Sequence, residues 1–168
     1  ETQNFTFSTH TPDDIYFINV NRSRYRHNLK PGSLNLKLTS GGNTIQLTDD
    51  SVTSTGSAVI TNVGRQFNLV SGSDGVMLGS NVNQVGTTSS YGFVYPDAGL
   101  IVLNPDALSS SILGLVSAKT ANTNGNNGTK LLTVMEAGNQ FIVDSEERIT
   151  SQYYFTRVKN FEFNYYSN

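Results

Sequence analysis

The sequence contains no cysteine, no tryptophan, only two histidines and few charged residues. Without cysteine, the chain has no disulfide scaffold, no thiolate metal ligand and no thiol nucleophile. Charged residues make up 14% of the chain, against about 25% in a typical soluble domain. The formal net charge is only -2, so the chain has no overall basic field to attract nucleic acid or an anionic membrane. We therefore expect neither partner.

Long apolar runs and a signal-peptide pattern are also missing. No stretch approaches the about 20 consecutive apolar residues of a membrane-spanning helix. The chain is instead rich in small polar residues, with 19 asparagines, 19 serines and 18 threonines. This neutral, polar composition, interrupted by short apolar runs, indicates an all-β domain and leaves its function open.

Alternating apolar and polar residues predict short strands along most of the chain. The clearest hairpin joins residues 34–38 to 44–48 through a Gly41-Gly42 turn, since glycine tolerates positive φ. A second hairpin joins residues 91–95 to 100–103 through a Pro-Asp-Ala-Gly reversal. Further strands are predicted at residues 4–7, 15–20, 58–60, 66–70 and 140–143.

One helix is predicted to begin after Asn104. Asparagine is a favourable N-cap, and Pro105 suits the first helical position, where its missing N–H is not needed. Leu108, Ile112 and Leu115 then recur on one helical face. Ser109, Ser110 and Ser111 lower the helix propensity, so this helix would depend on packing.

Two later stretches are less regular. Residues 120–129 have no large apolar side chain, so we expect them to be disordered. Residues 131–135 fit either a strand or one helical turn. The expected fold is mainly β, a sandwich or barrel-like domain over residues 1–168 with one short lateral α-helix.

The residues from 149 to 166 form the most aromatic and β-prone part of the chain. In an extended strand, both faces would carry apolar side chains, and such a strand needs cover on both faces or a partner. We therefore predict a long C-terminal strand that serves as an assembly surface. Its candidate interface residues are Tyr153, Phe155, Arg157, Lys159, Phe161, Phe163 and Tyr165.

One dense cationic cluster occupies residues 22–27. In an extended segment Arg22, Arg24 and Arg26 would lie on one face about 7 Å apart, where they could bind carboxylates or phosphates. Nucleic acid is disfavoured because the rest of the chain is nearly neutral. An interface with an acidic neighbour is one interpretation. The other is ion pairing within the domain, with candidate partners Asp13, Asp14 and Glu162.

Little in the sequence supports an active site. A general base is scarce because His10 and His27 are the only histidines, and neither lies in a catalytic motif. The carboxylate pairs at 13–14, 49–50 and 146–147 lie in turn-like contexts typical of capping groups. No calcium loop or phosphate-binding loop is present. The sequence predicts a protein that is not an enzyme and has no metal or cofactor.

Three stretches carry a family resemblance, in this order and spacing: residues 15–26 (IYFINVNRSRYR), 91–105 (YGFVYPDAGLIVLNP) and 149–168 (ITSQYYFTRVKNFEFNYYSN). They resemble large virion structural proteins of contractile-tailed phages, notably cyanophages. The matching stretches cover roughly a quarter to a third of the chain. In that family the last stretch continues further, so the chain is expected to be a fragment of a longer structural protein.

The resemblance implies an oligomeric tail or baseplate component of a virion, assembled in the host cytoplasm. It implies other virion structural proteins, or copies of the chain itself, as partners, and it brings no catalytic residues. Two alternatives stay open. One is a module that binds host-surface carbohydrate with Tyr25, Tyr91 or Tyr95 as stacking platforms. The other is an enzyme that degrades host polysaccharide with a carboxylate pair.

Overall fold

The computed structural model describes residues 5–7, 11–12, 14–53, 58–78, 90–108 and 126–157. These residues are mainly β, with an antiparallel sheet curled into a half-barrel. The strands are β1 (Tyr16–Asn19), β2 (Asn28–Leu29), β3 (Asn35–Ser40), β4 (Asn43–Asp49), β5 (Val59–Thr61), β6 (Gly64–Ser73), β7 (Val76–Met77), β8 (Gly92–Tyr95), β9 (Leu100–Leu103), β10 (Gln140–Ile142) and β11 (Ser145–Glu146). The helices are α1 (Pro105–Leu108) and α2 (Asn126–Gly138). The predicted fold class is confirmed.

The main sheet has the strand order β1-β9-β8-β6-β4-β3-β10. The long strand β6 also pairs with the short strands β5 and β7, and all of these pairings are antiparallel. Strands β2 and β11 form a separate two-stranded sheet, which we call the β2–β11 ribbon. The described part of the sheet therefore ends at β1 on one side and at β10 on the other.

Both predicted hairpins are present. Ser40 pairs with Asn43 across the turn between β3 and β4, and Gly41 and Gly42 both have positive φ, at 57° and 82°. Two such residues give the mirror-image turn whose twist matches that of the flanking strands. Strands β8 and β9 pair from Gly92 with Leu103 to Tyr95 with Leu100. Local turn chemistry was therefore sufficient to place these strands.

The sheet is covered on both faces at β8 and β9. Val94, Ile101 and Leu103 belong to the main apolar cluster, which also contains residues of β3, β4 and α2. Phe93 and Val102 alternate with them and form a second cluster on the opposite face. The fully buried Phe7 covers this second face and stacks on Phe93 with ring centroids 4.8 Å apart. Of the strand predicted at residues 4–7, the described residues form a single bridge at Phe7.

Helix α1 begins as predicted. The side-chain oxygen of Asn104 accepts the N–H of Asp106 at 3.1 Å, and its amide nitrogen donates to the Ser90 carbonyl at 3.0 Å. The helix is described only through Leu108, which is fully buried. The remainder of the predicted apolar stripe, at Ile112 and Leu115, lies outside the described residues.

Helix α2 corrects one expectation and decides a second that the sequence left open. It begins at Asn126, so the predicted disorder of residues 120–129 is wrong for residues 126–129, while residues 120–125 lie outside the described part. Residues 131–135, left open between strand and helix, are helical. Leu131 and Val134 are buried in the main cluster. Packing on the sheet therefore stabilises a helix whose asparagine- and glycine-rich start has poor intrinsic propensity.

The predicted C-terminal strand is also corrected. Residues 149–157 are irregular and exposed and pair with no described strand. Residues 158–168 lie outside the described part. High β propensity was not enough to make this segment a strand, since a strand needs a neighbour that pairs with its backbone.

The packing of α2 against β3 can be tested at the end of the helix. A methyl group added at Gly138 would overlap the backbone carbonyl of Lys37 in β3. We expect Gly138→Ala to lower the free energy of unfolding by about 1–3 kcal/mol, as overpacking does elsewhere. In the same helix Gly128 has no atom within 4 Å of the added position. Gly128→Ala should therefore raise stability by up to about 1 kcal/mol. Urea denaturation measures both changes, and equal effects of the two variants would contradict the description of α2.

Candidate assembly surface

Residues 149–157, which follow β11 and which we call the aromatic segment, have large apolar side chains that are exposed to water. Tyr153, Tyr154 and Phe155 are 82%, 83% and 96% exposed, and Ile149 is 83% exposed. Within this segment Tyr154 donates a hydrogen bond to Gln152 at 2.6 Å. Three predicted interface residues, Tyr153, Phe155 and Arg157, are therefore accessible. The other C-terminal candidates, Lys159, Phe161, Phe163 and Tyr165, lie outside the described residues.

The β2–β11 ribbon fixes the base of this segment to the domain. The backbone N–H of Arg26 donates to Ser145 Oγ at 2.9 Å. The amide of Asn28 donates to Glu146 Oε2 at 3.1 Å. The backbone N–H of Arg148 donates to His27 Nδ1 at 2.9 Å. Among the described residues, Arg148 is the last one that hydrogen bonds to the body of the domain.

No sequence pattern predicted these anchoring residues. His27 and Arg148 are separated by 121 positions, and Arg26 and Ser145 by 119. No local pattern links residues so far apart, because the pairing of β2 with β11 depends on the tertiary fold. The only signal available was the unusual basic cluster that contains Arg26 and His27.

The basic cluster is a turn and not the extended row that was predicted. Residues Arg22–Arg24 form one turn of 3-10 helix, and the Asn21 side-chain oxygen accepts the N–H of Ser23. The guanidinium of Arg22 lies 4.5 Å from the centre of the Tyr25 ring and donates to the His27 carbonyl at 2.9 Å. The three arginines are exposed, but a 3-10 turn does not place them on one straight face.

The basic cluster was also interpreted as a set of ion pairs within the domain, and one of the three candidate partners, Asp14, is among the described residues. Asp14 forms no salt bridge with Arg22, Arg24 or Arg26 within the described part of the chain. Asp13 and Glu162 lie outside that part. The three arginines are exposed on the turn that leads into β2, where Arg22 also contacts Tyr25 and the His27 carbonyl. The fold brings this turn and the base of the aromatic segment to the same ribbon.

The turn between β8 and β9 supports the ribbon from the body of the domain. The backbone N–H of Leu29 donates to the Pro96 carbonyl at 2.9 Å. Asp97 accepts three hydrogen bonds from the Arg65 guanidinium, the shortest at 2.7 Å, and one from the Arg65 backbone N–H. The hydrogen bonds from the Arg65 side chain lower the pKa of Asp97, and the charge of Arg148 adds to this effect.

Three carboxylates of the candidate pairs accept hydrogen bonds within the fold. Asp49 accepts the N–H of Gly32, and Asp50 accepts from the backbone and side chain of Asn68. Glu146 accepts from Asn28. Within the described ranges no three His, Cys, Asp or Glu side chains are grouped so as to hold a metal ion. No helix there is long and apolar enough to span a membrane.

An open groove of about 460 Å³ lies against β3, β4, β6 and β7. Its lining includes Lys37, Gln46, Ser71 and Leu78 and contains no aromatic ring. The three tyrosines suggested as carbohydrate-stacking platforms are also unsuitable for that role. Tyr25, Tyr91 and Tyr95 are buried, with 8%, 7% and 6% of their surface exposed.

No protein-family model, curated protein or solved structure matches this chain. The function must therefore be inferred from the chain's own residues.

The Arg65–Asp97 pair predicts how acid affects stability. A carboxyl whose pKa is lowered by folding stabilises the protein above its unfolded pKa of about 3.9, and this contribution is lost as the pH falls through the folded pKa. We expect Asp97→Asn to lower the free energy of unfolding at neutral pH by about 1 kcal/mol, since the pair is partly exposed.

The stability of this variant should also fall less steeply than that of the natural chain below about pH 4. Urea denaturation across this pH range measures both effects. Asp144→Asn is the matched control, because the Asp144 side chain is exposed and its backbone, not its carboxylate, bonds to Lys30 and Ser33. Identical pH profiles for both variants would contradict the assignment.

Proposed function

We propose that this protein is a structural component of a phage virion, of tail or baseplate type, that works through protein–protein contacts. The observation that carries the proposal is the exposed aromatic segment at residues 149–157, anchored at its base by the β2–β11 ribbon. The likeness of three sequence stretches to phage structural proteins supports the virion setting.

The exposed rings have enough surface to form the centre of an interface. Burying one aromatic side chain removes about 150–250 Å² from water, which stabilises a complex by roughly 2–3 kcal/mol. Tyr153, Tyr154 and Phe155 are consecutive, so they cannot all face the domain in an extended segment. Aromatic residues are typical of interface hot spots, where a few side chains supply most of the binding energy.

The backbone of this segment and the edges of the sheet are suited to the same kind of contact. An exposed, β-prone segment can add as a strand to a sheet edge of a neighbouring molecule. At the β10 end of the sheet, Phe141 and Ile142 are 41% and 51% exposed. A second copy of the chain is therefore one partner that could accept the segment, and another virion protein with an open edge is the other.

The aromatic segment gives a direct test by substitution. We expect the triple variant Tyr153→Ser, Tyr154→Ser, Phe155→Ser to weaken self-association at least about 100-fold, because each lost ring removes more than 1 kcal/mol of burial. Sedimentation velocity over a concentration series measures the change. The matched control replaces three exposed aliphatic residues of the β5–β6 hairpin with serine: Val59, Ile60 and Val63.

Equal self-association of the two triple variants would contradict the proposed surface. A natural chain that stays monomeric at millimolar concentration and binds a glycan array would instead support the carbohydrate-binding alternative. Self-association without glycan binding supports the structural role.

Truncation of the chain before the aromatic segment tests whether this segment is needed for incorporation into the virion. A chain that ends at Arg148 keeps the described strands and both helices and loses the aromatic residues. We expect this chain to fold, as measured by circular dichroism, and to be absent from purified particles. Normal incorporation of the truncated chain would contradict the proposal.

A further inference from the structure

The last hydrogen bond between the body and the aromatic segment has a titratable acceptor. The backbone N–H of Arg148 donates to His27 Nδ1 at 2.9 Å. A peptide N–H can only donate, so Nδ1 must offer a lone pair. The imidazole in this arrangement is therefore neutral, with its proton on Nε2.

Protonation of His27 removes this acceptor. In the imidazolium both ring nitrogens carry hydrogen, so rotation of the ring cannot restore an acceptor. The Nδ1–H would then point at the N–H of Arg148, and two donors repel each other. The hydrogen bond that fixes Arg148 is therefore incompatible with a charged His27.

The charges around His27 come from every element packed against it. Among the described residues they are Arg22, Arg24 and Arg26 of the basic cluster, Glu146 of β11, and Glu147 and Arg148, which follow it. Arg65 and Asp97 act electrostatically on Glu146 and Arg148, respectively. Arg22 donates to the carbonyl of His27 itself. Glu146 and Asp97 already accept hydrogen bonds, from Asn28 and Arg65 respectively.

We propose that His27 is a pH-sensitive latch, and that its protonation releases Arg148 and frees the base of the aromatic segment from the ribbon. The Asn28 amide also donates to the Glu146 carboxylate. Three further contacts do not involve a titratable side chain: the backbone bonds from Lys30 to the Asp144 carbonyl and from His27 to the Glu146 carbonyl, and the bond from the Arg26 N–H to Ser145. They keep β11 in place while the residues after Glu146 change direction. The consequence for assembly rests on the proposed function, whereas the latch itself does not.

Amide hydrogen exchange of Arg148, followed by NMR and corrected for the intrinsic rate at each pH, tests the latch. Between about pH 8 and about pH 5, where histidine side chains as a class gain charge, we expect the protection of this amide to fall. A net hydrogen bond of 0.5–1.5 kcal/mol corresponds to a loss of roughly two- to tenfold. The amide of Leu36 in β3 serves as an internal reference, because this residue is fully buried.

Two variants separate the latch from general acid effects. His27→Asn places an amide oxygen near the position of Nδ1, so protection at Arg148 should persist and not depend on pH. His27→Ala should show low protection at both pH values. Unchanged protection in the natural chain, or an equal fall in His27→Asn, would overturn the proposal. Repeating the measurement in the Tyr153→Ser, Tyr154→Ser, Phe155→Ser chain keeps a failure of the latch distinct from a failure of assembly.

Discussion

The apolar side chains that pack on the two faces of the curled sheet determine how the rest of this domain is arranged. Leu36, Leu47 and Leu103 are fully buried in the main cluster, and Leu131 of α2 packs into the same cluster. On the opposite face, Phe7 covers the second cluster. The aromatic rings of residues 153–155 belong to neither cluster and are left in water. Exposing such rings to water costs free energy, and exposed apolar patches of this kind are typical of interaction sites.

The features that the sequence predicted correctly are those with local causes. Gly41-Gly42 determines the β3–β4 turn because both residues take positive φ, and Asn104 caps α1 through its own side chain. In each case the residues that cause the structure are adjacent in the chain. The Pro-Asp-Ala-Gly reversal likewise predicted the hairpin of β8 and β9. The mainly β class followed from these elements together.

Helix α2 and the C-terminal segment were not predicted correctly because they depend on contacts between residues distant in the chain, whereas the missed turn at Arg22–Arg24 has local causes. Helix α2 has a start rich in asparagine and glycine, and only the packing of Leu131 and Val134 on the sheet favours it. The arginine cluster became a 3-10 turn because Asn21 caps Ser23 and Arg22 stacks on Tyr25. The C-terminal segment is not a strand over residues 149–157 because no described neighbour pairs with it. Propensity alone could not give these outcomes.

Residues 149–157 are exposed in the isolated chain, and the proposed function requires them to become buried when it assembles. Hydroxyl-radical footprinting of Tyr153 and Phe155 measures this most directly, since the rate of ring oxidation follows side-chain accessibility. We expect both rings to be oxidised rapidly in dilute monomer and to be protected at least about tenfold in the assembled state, as for residues at the dry centre of an interface. Equal oxidation in the two states would contradict the account, and so would protection already present in the monomer.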